Sequence, residues 1–404
     1  MMKQITSDAL ASMHFELNWR HDRVSHSDCF FARKVNMWRD YLPKTVYQAL
    51  LGRQIGETIQ LEKLPADSLA PFNPGQVVTL PTDRFNRKFR ETVLEPRYGR
   101  FYPKGVLAGL PNIFPDNVSP FRYGRSDQTS FEADLNHPLA GRDASLAVRV
   151  DKIFDKIDER GGTCVDWIEA ISDGPGMQAR LNGRPTDFLS DGAFVRPDTR
   201  PDTVFYETPR LVDHMDAKAR EIITDLYRRL LPPDGAVLDL MSSWNSHLPP
   251  EISFKQVTGL GLNREELAAN PRLTDSLVHD LNVDPRLPFG NAAFNAVVCA
   301  ASVEYLTSPL AVFGEVARTL APGGIFVVTF SNRWFPPKAI SLWPNCHEFE
   351  RLGLVTEYFL QTEKYDNLQT WSVRGYPRPK DDKYYPAQPA ADPVFAVWGY
   401  KNEK

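Results

Sequence analysis

The stretch "AVLDLMSSWNSHLPP", residues 236–250, decides how this chain is read. Val237, Leu238 and Leu240 spell a short apolar strand with Asp239 near its end. In most nucleotide-binding strand-to-helix turns a glycine run follows, because the backbone must come close to the ligand. Here Met241, Ser242, Ser243 and Trp244 follow, with no glycine among them. Two readings compete: a ligand site built by other means, or a core strand that ends in an ordinary capping loop.

Strands and helices alternate downstream. "QVTGLGL" reads as a second strand and "NREELAAN" as a helix; "SLVHDLN" and "FNAVVCAAS" read as a third and fourth strand. The helix "PLAVFGEVARTLAPGG" is expected to end at its glycines, before a fifth strand, "IFVVTFS". Near-continuous apolar strands between helices predict a parallel sheet covered on both faces. "LVTEYFLQ" and "PVFAVWGY" are expected to add an antiparallel edge hairpin. Upstream, "AKAREIITDLYRRLL" is a helix with Ile222, Ile223, Leu226 and Leu230 on one face, stopped by Pro232 and Pro233.

The remainder reads differently. Residues 15–155 show short strands and turns with one helix, at Val46, Leu50 and Leu51. Ile59 and Leu61, then Leu146, Val148 and Val150, alternate with polar neighbours as strands do. Residues 161–203 are rich in Gly, Asp, Pro and Arg and should hold few regular elements, with Phe188 and Phe194 to pack them down.

A chain of 404 residues is long enough for two or three domains, and 42% hydrophobic with 24% charged residues suits a soluble globular protein. A net charge of -4 gives no basic surface for nucleic acid. No apolar run reaches the length of a membrane span, and "MMKQITSDALASMHFELNW" lacks the apolar segment of a signal peptide, so a cytoplasmic location is expected. Cys29, Cys164, Cys299 and Cys346 are scattered without a CxxC pair, which argues against zinc or a disulfide framework; Cys299 reads as core.

"HDLNVDPRLPFGNAAFNAVVCAASVEYL", followed by "VFGEVARTLAPGGIFVVTFSNRWFPPKA", resembles class I S-adenosylmethionine-dependent methyltransferases of the type 11 group. The LPF, AFNAVV and RTLAPGG units occur in order at suitable spacing. "DLMSSWNSHLP" resembles a subgroup in which a serine-tryptophan sequence replaces the glycine-rich first motif. "LLGRQIGETIQLEKL", "VVTLPTDRF" and "LNHPLAGRDASLAVRVDKI" resemble FKBP-type prolyl isomerases of the SlyD-like kind. That likeness departs from the family around Phe30 and Phe31, where no run of pocket aromatics aligns, so the fold is expected to be kept and the activity lost.

The expected fold class is therefore α/β: a Rossmann-like methyltransferase domain preceded by a smaller, β-rich, FKBP-like α+β domain. The sheet of the former is mostly parallel with an antiparallel C-terminal edge. The expected parts are residues 1–155 (FKBP-like), 156–233 (a lid and connecting segment) and 234–404 (the methyltransferase core).

The resemblance implies S-adenosylmethionine as cofactor, no metal, and a site at the carboxyl ends of the parallel strands. Asp239, Met241, Ser242 and Ser243 would receive its methionine part, with the serines bringing the backbone close and offering hydroxyls. Asn263 stands near the usual ribose-binding acid; it is read as a ribose contact, as the N-cap before Arg264, Glu265 and Glu266, or as both. Asp280 would accept from the adenine amino group beside an apolar wall at Leu281. Ser302, Glu304 and Tyr305 follow the fourth strand, and Asn332, Arg333 and Trp334 the fifth, where an acceptor pocket opens. Phe205, Tyr206, Arg210 and His214 crowd the segment before the first strand and read as a lid. His214, Tyr206, Arg210 and Glu304 are the candidate catalytic groups, His214 foremost as base. The expected partner is a small-molecule methyl acceptor, bound through sulfur, oxygen or nitrogen, with no nucleic acid or membrane partner. The front domain is expected to shape the entrance to the methyltransferase site or to mediate self-association as a homodimer. A prolyl isomerase or chaperone joined to a methyltransferase-like domain, and a non-enzymatic cofactor-binding protein, are the alternatives.

Overall fold

The computed structural model describes residues 3–65, 68–155, 161–190 and 192–403. The chain divides into two compact units. The first comprises residues 1–22, 28–190 and 345–354, the second residues 23–27, 191–344 and 355–404. The boundary expected between 155 and 156 falls against residues 156–160, which lie outside the described residues.

In the first unit alternation of apolar residues builds one face of each strand. Its elements in chain order begin with β1 (Leu10–His21), β2 (Val24–Asn36), α1 (Lys44–Leu50) and β3 (Thr58–Leu61). A smaller set follows: β4 (Val77–Pro81), the ribbon β5 (Lys88–Phe89) and β6 (Thr92–Val93), β7 (Phe101–Pro103), β8 (Pro120–Ser126) and β9 (Ser130–Asp134). β10 (Ala144–Ile153) then returns to pair antiparallel with β1 and with β3. The expected strand residues Leu146, Val148 and Val150 are fully buried, over Val46 and Leu50 of α1. The smaller sheet, in the order β4-β9-β8-β7, buries Phe85, Tyr102, Phe121, Tyr123 and Phe131 against one another.

This unit continues to Ser190 instead of ending at Asp155. The reason is the short helix α2 (Trp167–Ser172), whose Trp167, Ile168 and Ile171 join the same core. Trp167 stacks on Phe15, with centroids 6.3 Å apart, and donates its indole N–H to Asp40 at 2.8 Å.

In the second unit α3 (Asp202–Phe205) and α4 (Ala217–Leu230) precede β11 (Ala236–Leu240) and β12 (Gln256–Gly261). Then come α5 (Arg264–Ala269), β13 (Asp275–Val278), β14 (Phe294–Ala300), α6 (Pro309–Thr319) and β15 (Leu320–Phe330). β16 (Tyr365–Arg374) and β17 (Val394–Lys401) follow α7 (Glu348–Thr362), of which residues 348–354 belong to the first unit. Among the strands of this unit the order is β13-β12-β11-β14-β15-β17-β16. The first five strands run parallel and β17 is antiparallel to both neighbours, so the expected mixed sheet is present, with β17 and β16 as its antiparallel part. Cys299 lies in its core, 1% exposed. Strand order reverses between β11 and β14, the place where open α/β sheets bind ligands.

Two expected elements differ. "LVTEYFLQ" is part of α7, where Phe349, Leu352, Val355 and Phe359 recur at helical spacing; residues 349–360 are all buried, which hides the period. Its place beside β17 is taken by β16. The helix expected to end at glycines stops at Thr319, and the glycines instead make a bulge in β15, with Gly323 at φ +70. Among the described residues no helix is long and apolar enough to cross a membrane.

Trp167→Ala in the full chain should lower stability by about 3–5 kcal/mol, the cost of emptying a large buried aromatic site. Urea unfolding followed by circular dichroism checks this; a loss under about 1 kcal/mol would mean that the 161–190 segment is only draped on the core.

Candidate active site

The turn after β11 is shaped by a buried carboxylate. Asp239 is 2% exposed, and its Oδ2 accepts the hydroxyls of Ser242 and Ser246, both at 2.5 Å. Burial pushes its pKa up to about 6, although the two serine bonds pull it down. To return both serines to one oxygen the chain must double back, and Met241 does so at φ +58. That left-handed conformation is where glycine was missed in the sequence. The glycine for close approach stands across the turn instead: a Cβ on Gly261, at the end of β12, would lie 2.2 Å from the Ser242 carbonyl oxygen. Ser242 N donates to Leu260 O at 2.8 Å, and Asn270 Nδ2 ties Ser243 O and Ser246 Oγ together, each at 2.8 Å.

The start of α5 clamps this turn to the segment above it. Asn263 Oδ1 caps the helix, accepting from Glu265 N and Glu266 N, while its Nδ2 donates to the carbonyls of Tyr206 and Glu207. Glu266 is 7% exposed; Oε2 accepts from Ser243 Oγ at 2.6 Å and Oε1 from Arg210 N at 2.7 Å.

Residues 202–216 span the strand ends. At one end Asp202 accepts from Arg196 Nη1 and Asn282 Nδ2, both 2.8 Å, and pairs with the fully buried Lys338 at 3.0 Å. Burial opposes charge on Asp202, but these bonds outweigh it and hold the carboxyl below its ordinary range. At the other end Asp216 caps α4, exchanges hydrogen bonds with Asp392 and pairs with Arg378 at 3.3 Å. Between them Phe205, Tyr206, His214 and Tyr305 ring Phe335 at centroid distances of 5.1–6.2 Å. Burial lowers the His214 pKa, so its imidazole is neutral near pH 7 and free to accept a proton. Tyr206 is shifted up by burial and stays a phenol.

Under this span lies a cleft of about 1170 Å³, open solvent at its mouth included. It reaches the ends of β11, β12, β13 and β14 and is lined by Asp239, Met241, Ser242, Ser243, Asn263, Asp280, Leu281 and Ser302, and by Tyr206, Arg210 and His214.

Residues 243–328 match the family model described as "Methyltransferase domain". The match marks this segment as a methyltransferase domain. Its cofactor is S-adenosylmethionine. No curated protein matches the chain. Among solved structures, the [4+2]-cyclase SpnF is 16% identical, with 53% of this chain and 99% of that one covered at a TM-score of 0.37. A S-adenosylmethionine-dependent methyltransferase from Mesorhizobium loti is 16% identical over 44% of this chain and 96% of its own, at 0.29. One from Methanosarcina mazei is 14% identical over 44% and 98%, at 0.28.

The lining fits this cofactor. The Gly261 cradle brings the methyltransferase turn onto β12, and the only side-chain hydrogen bond of Asp280 among the described residues is the one Oδ1 accepts from Asn282 N, 2.9 Å. Leu281 beside it is an apolar wall, 4% exposed. Eleven of the twelve expected site residues line the cleft; Glu304 does not. It is 1% exposed, in a 3₁₀ turn at Val303–Tyr305 that presents its neighbours Ser302 and Tyr305 to the cleft instead. Asn332, Arg333 and Trp334 are also absent from the lining, where Phe335 stands. Arg333 is turned to Asp392, at 3.0 Å. Asn263 lines the cleft with its amide already engaged at both ends. In sequence Glu266 reads as a first-turn helix residue only; its links to Ser243 and Arg210 join positions far apart in the chain, and no local signal marks them.

Asp239 gives a pH signature. Its folded pKa lies above the ordinary carboxylate value, so its contribution to stability is full below about pH 4 and is lost as pH rises through about 6. Relative to Asp239→Asn, whose amide oxygen still accepts from both serines, the wild type should lose about 2–3 kcal/mol between pH 4 and pH 7. Urea midpoints of the two proteins across that range measure it; parallel curves would place the Asp239 pKa near its ordinary value.

Proposed function

We propose that the second unit transfers a methyl group to a small-molecule nucleophile held under the Tyr206–His214 span. The aromatic and imidazole groups ringed around Phe335, at the β14 and β15 side of a cleft that carries the cofactor-type lining, are the observation that carries this reading. S-adenosylmethionine, when bound, supplies a methyl group activated on a sulfonium. The chain's part is to hold, align and dry the reactants. Ser242, Ser243 and the Met241 backbone receive the aminoacyl end, and Asp280 with Leu281 receives the adenine. Asn263 supports the ribose side chiefly by fixing α5 against the span. Tyr206, Tyr305 and Phe335 exclude water from the acceptor. His214, neutral near pH 7, orients the acceptor or takes its proton. A thiol acceptor, partly ionised near neutrality, needs this help least.

The front unit, in this reading, keeps an FKBP-like fold without its activity and serves as an accessory or self-association domain. The aromatics of its smaller sheet support this: Phe85, Tyr102, Tyr123 and Phe131 are buried in edge and stacked contacts with one another.

Calorimetry with S-adenosylhomocysteine should show binding, weakened by roughly 1–3 kcal/mol in Asp280→Ala, the range for losing a buried hydrogen-bond partner. Unchanged affinity in a folded variant removes that assignment. With an acceptor found by screening small thiols, phenols and amines for S-adenosylhomocysteine release, His214→Ala should slow turnover about 10²–10⁴-fold while cofactor affinity holds. For a thiol the loss should be smaller and shrink as pH rises; wild-type turnover at every pH would make His214 structural. The full chain should not accelerate isomerisation of a Phe-Pro peptide, and robust catalysis of it would return the isomerase function to the front unit.

A further inference from the structure

The guanidinium of Arg210 is held in an unusual way for a cation in a cleft. Its Cζ lies 4.6 Å from the Phe205 ring centroid, 5.4 Å from that of Tyr206 and 5.2 Å from that of Phe335. Nη2 donates to Phe205 O at 2.9 Å. Nη1 is cut off from solvent and has no acceptor among the described residues. A buried donor left unpaired is costly, more so when charged, so such a group calls for an explanation.

The acids nearby do not supply one. Asp202 is engaged by Arg196, Asn282 and Lys338, and Asp213 by Arg220 at 2.9 Å. Glu266 meets only the backbone N–H of Arg210, with its other oxygen on Ser243. The other arginines around the span have their carboxylates; Arg210 has rings on its faces and one edge without an acceptor among the described residues.

Strand order says which half of the cleft this edge serves. Phe335 follows β15 and Tyr305 follows β14, on one side of β11; Asp280 and Leu281 follow β13, on the other. A guanidinium packed over Phe335 therefore stands on the acceptor half. The lining around it on this half includes the apolar and aromatic groups Val212, Tyr206, Tyr305 and Phe335.

We propose that the methyl acceptor carries, besides the sulfur, oxygen or nitrogen that takes the methyl group from the sulfonium, an apolar body ending in a carboxylate bound by Arg210, which makes Arg210 a specificity-determining residue. This rests on the methyltransferase reading for the word acceptor; the carboxylate site itself stands on the geometry above. A planar fork clamped between rings is pre-organised for a carboxylate edge, and exclusion of water strengthens the charge-assisted bond. The other source of a carboxylate in this cleft is the aminoacyl end of the cofactor, and the experiment separates the two.

Calorimetry on the full chain, with and without saturating S-adenosylhomocysteine, would use benzoate, phenylacetate and octanoate as probes and their amides as neutral counterparts. At least one acid should bind, with its amide at least tenfold weaker. Arg210→Gln should weaken that acid tenfold or more and change S-adenosylhomocysteine affinity less than threefold. Arg210→Lys, which keeps the charge without the planar fork, should recover part of the loss and guards against a misfolded variant. The proposal is overturned if acid and amide bind alike, if no acid binds, or if Arg210→Gln costs tenfold in S-adenosylhomocysteine affinity, which would assign the guanidinium to the cofactor. Failure of the wild type to bind S-adenosylhomocysteine counts against the methyltransferase reading alone, and the acid–amide comparison still decides this one.

Discussion

A carboxylate at the buried end of a core strand must either find donors or give up its charge. Asp239 finds two, Ser242 and Ser246, and the geometry of those bonds dictates the path of the chain between them. Met241 is forced into the left-handed region, Ser242 is set against Leu260, and Asn270 can then reach both Ser243 and Ser246. Side-chain hydrogen bonds here do what a glycine run does elsewhere. The conformational strain at one residue is offset by a network that leaves few alternatives open.

The same economy links the turn to what lies above it. Through Asn263 and Glu266, the first turn of a six-residue helix holds the backbone of Tyr206, Glu207 and Arg210 as well as the hydroxyl of Ser243. Floor and roof of the cleft thus share one support. A change at α5 acts on both at once, and separate contributions of Asn263 and Glu266 will not add.

Much of this was legible in sequence because it depends on local pattern. The parallel strands announce themselves by apolar runs, and the acid, serines and aromatics of the cleft fall at strand ends where the fold collects them. The misreadings have local causes too. Glu304 and Tyr305 are adjacent, and a 3₁₀ turn decides which one faces the cleft. Buried all round, α7 shows no amphipathic period, so its apolar residues pass for a strand. Trp167 sits in a Gly- and Asp-rich stretch that reads as irregular chain packed down by its aromatics; its partners Phe15 and Asp40, both more than a hundred residues away, show no signal in that stretch. Glu266 is the clearest case of what pattern cannot convey, since its partners are 23 and 56 residues distant.

Asp202 and Asp216 anchor the two ends of the roof in buried charge, one on Lys338 and Arg196, the other on Arg378. Removing one partner of such a pair costs on the order of 3–5 kcal/mol, far above thermal energy, so neither anchor lets go in ordinary fluctuation. Between these ends Asn263 and Glu266 hold the backbone at Tyr206, Glu207 and Arg210, and Trp244 donates its indole N–H to the Val212 carbonyl at 3.1 Å. A rope tied to two posts can bow at its middle; one pegged along its length is a beam. The opening beneath it is then a gauge of fixed size, and compounds too bulky for it are turned away at the threshold before the chemistry inside can judge them.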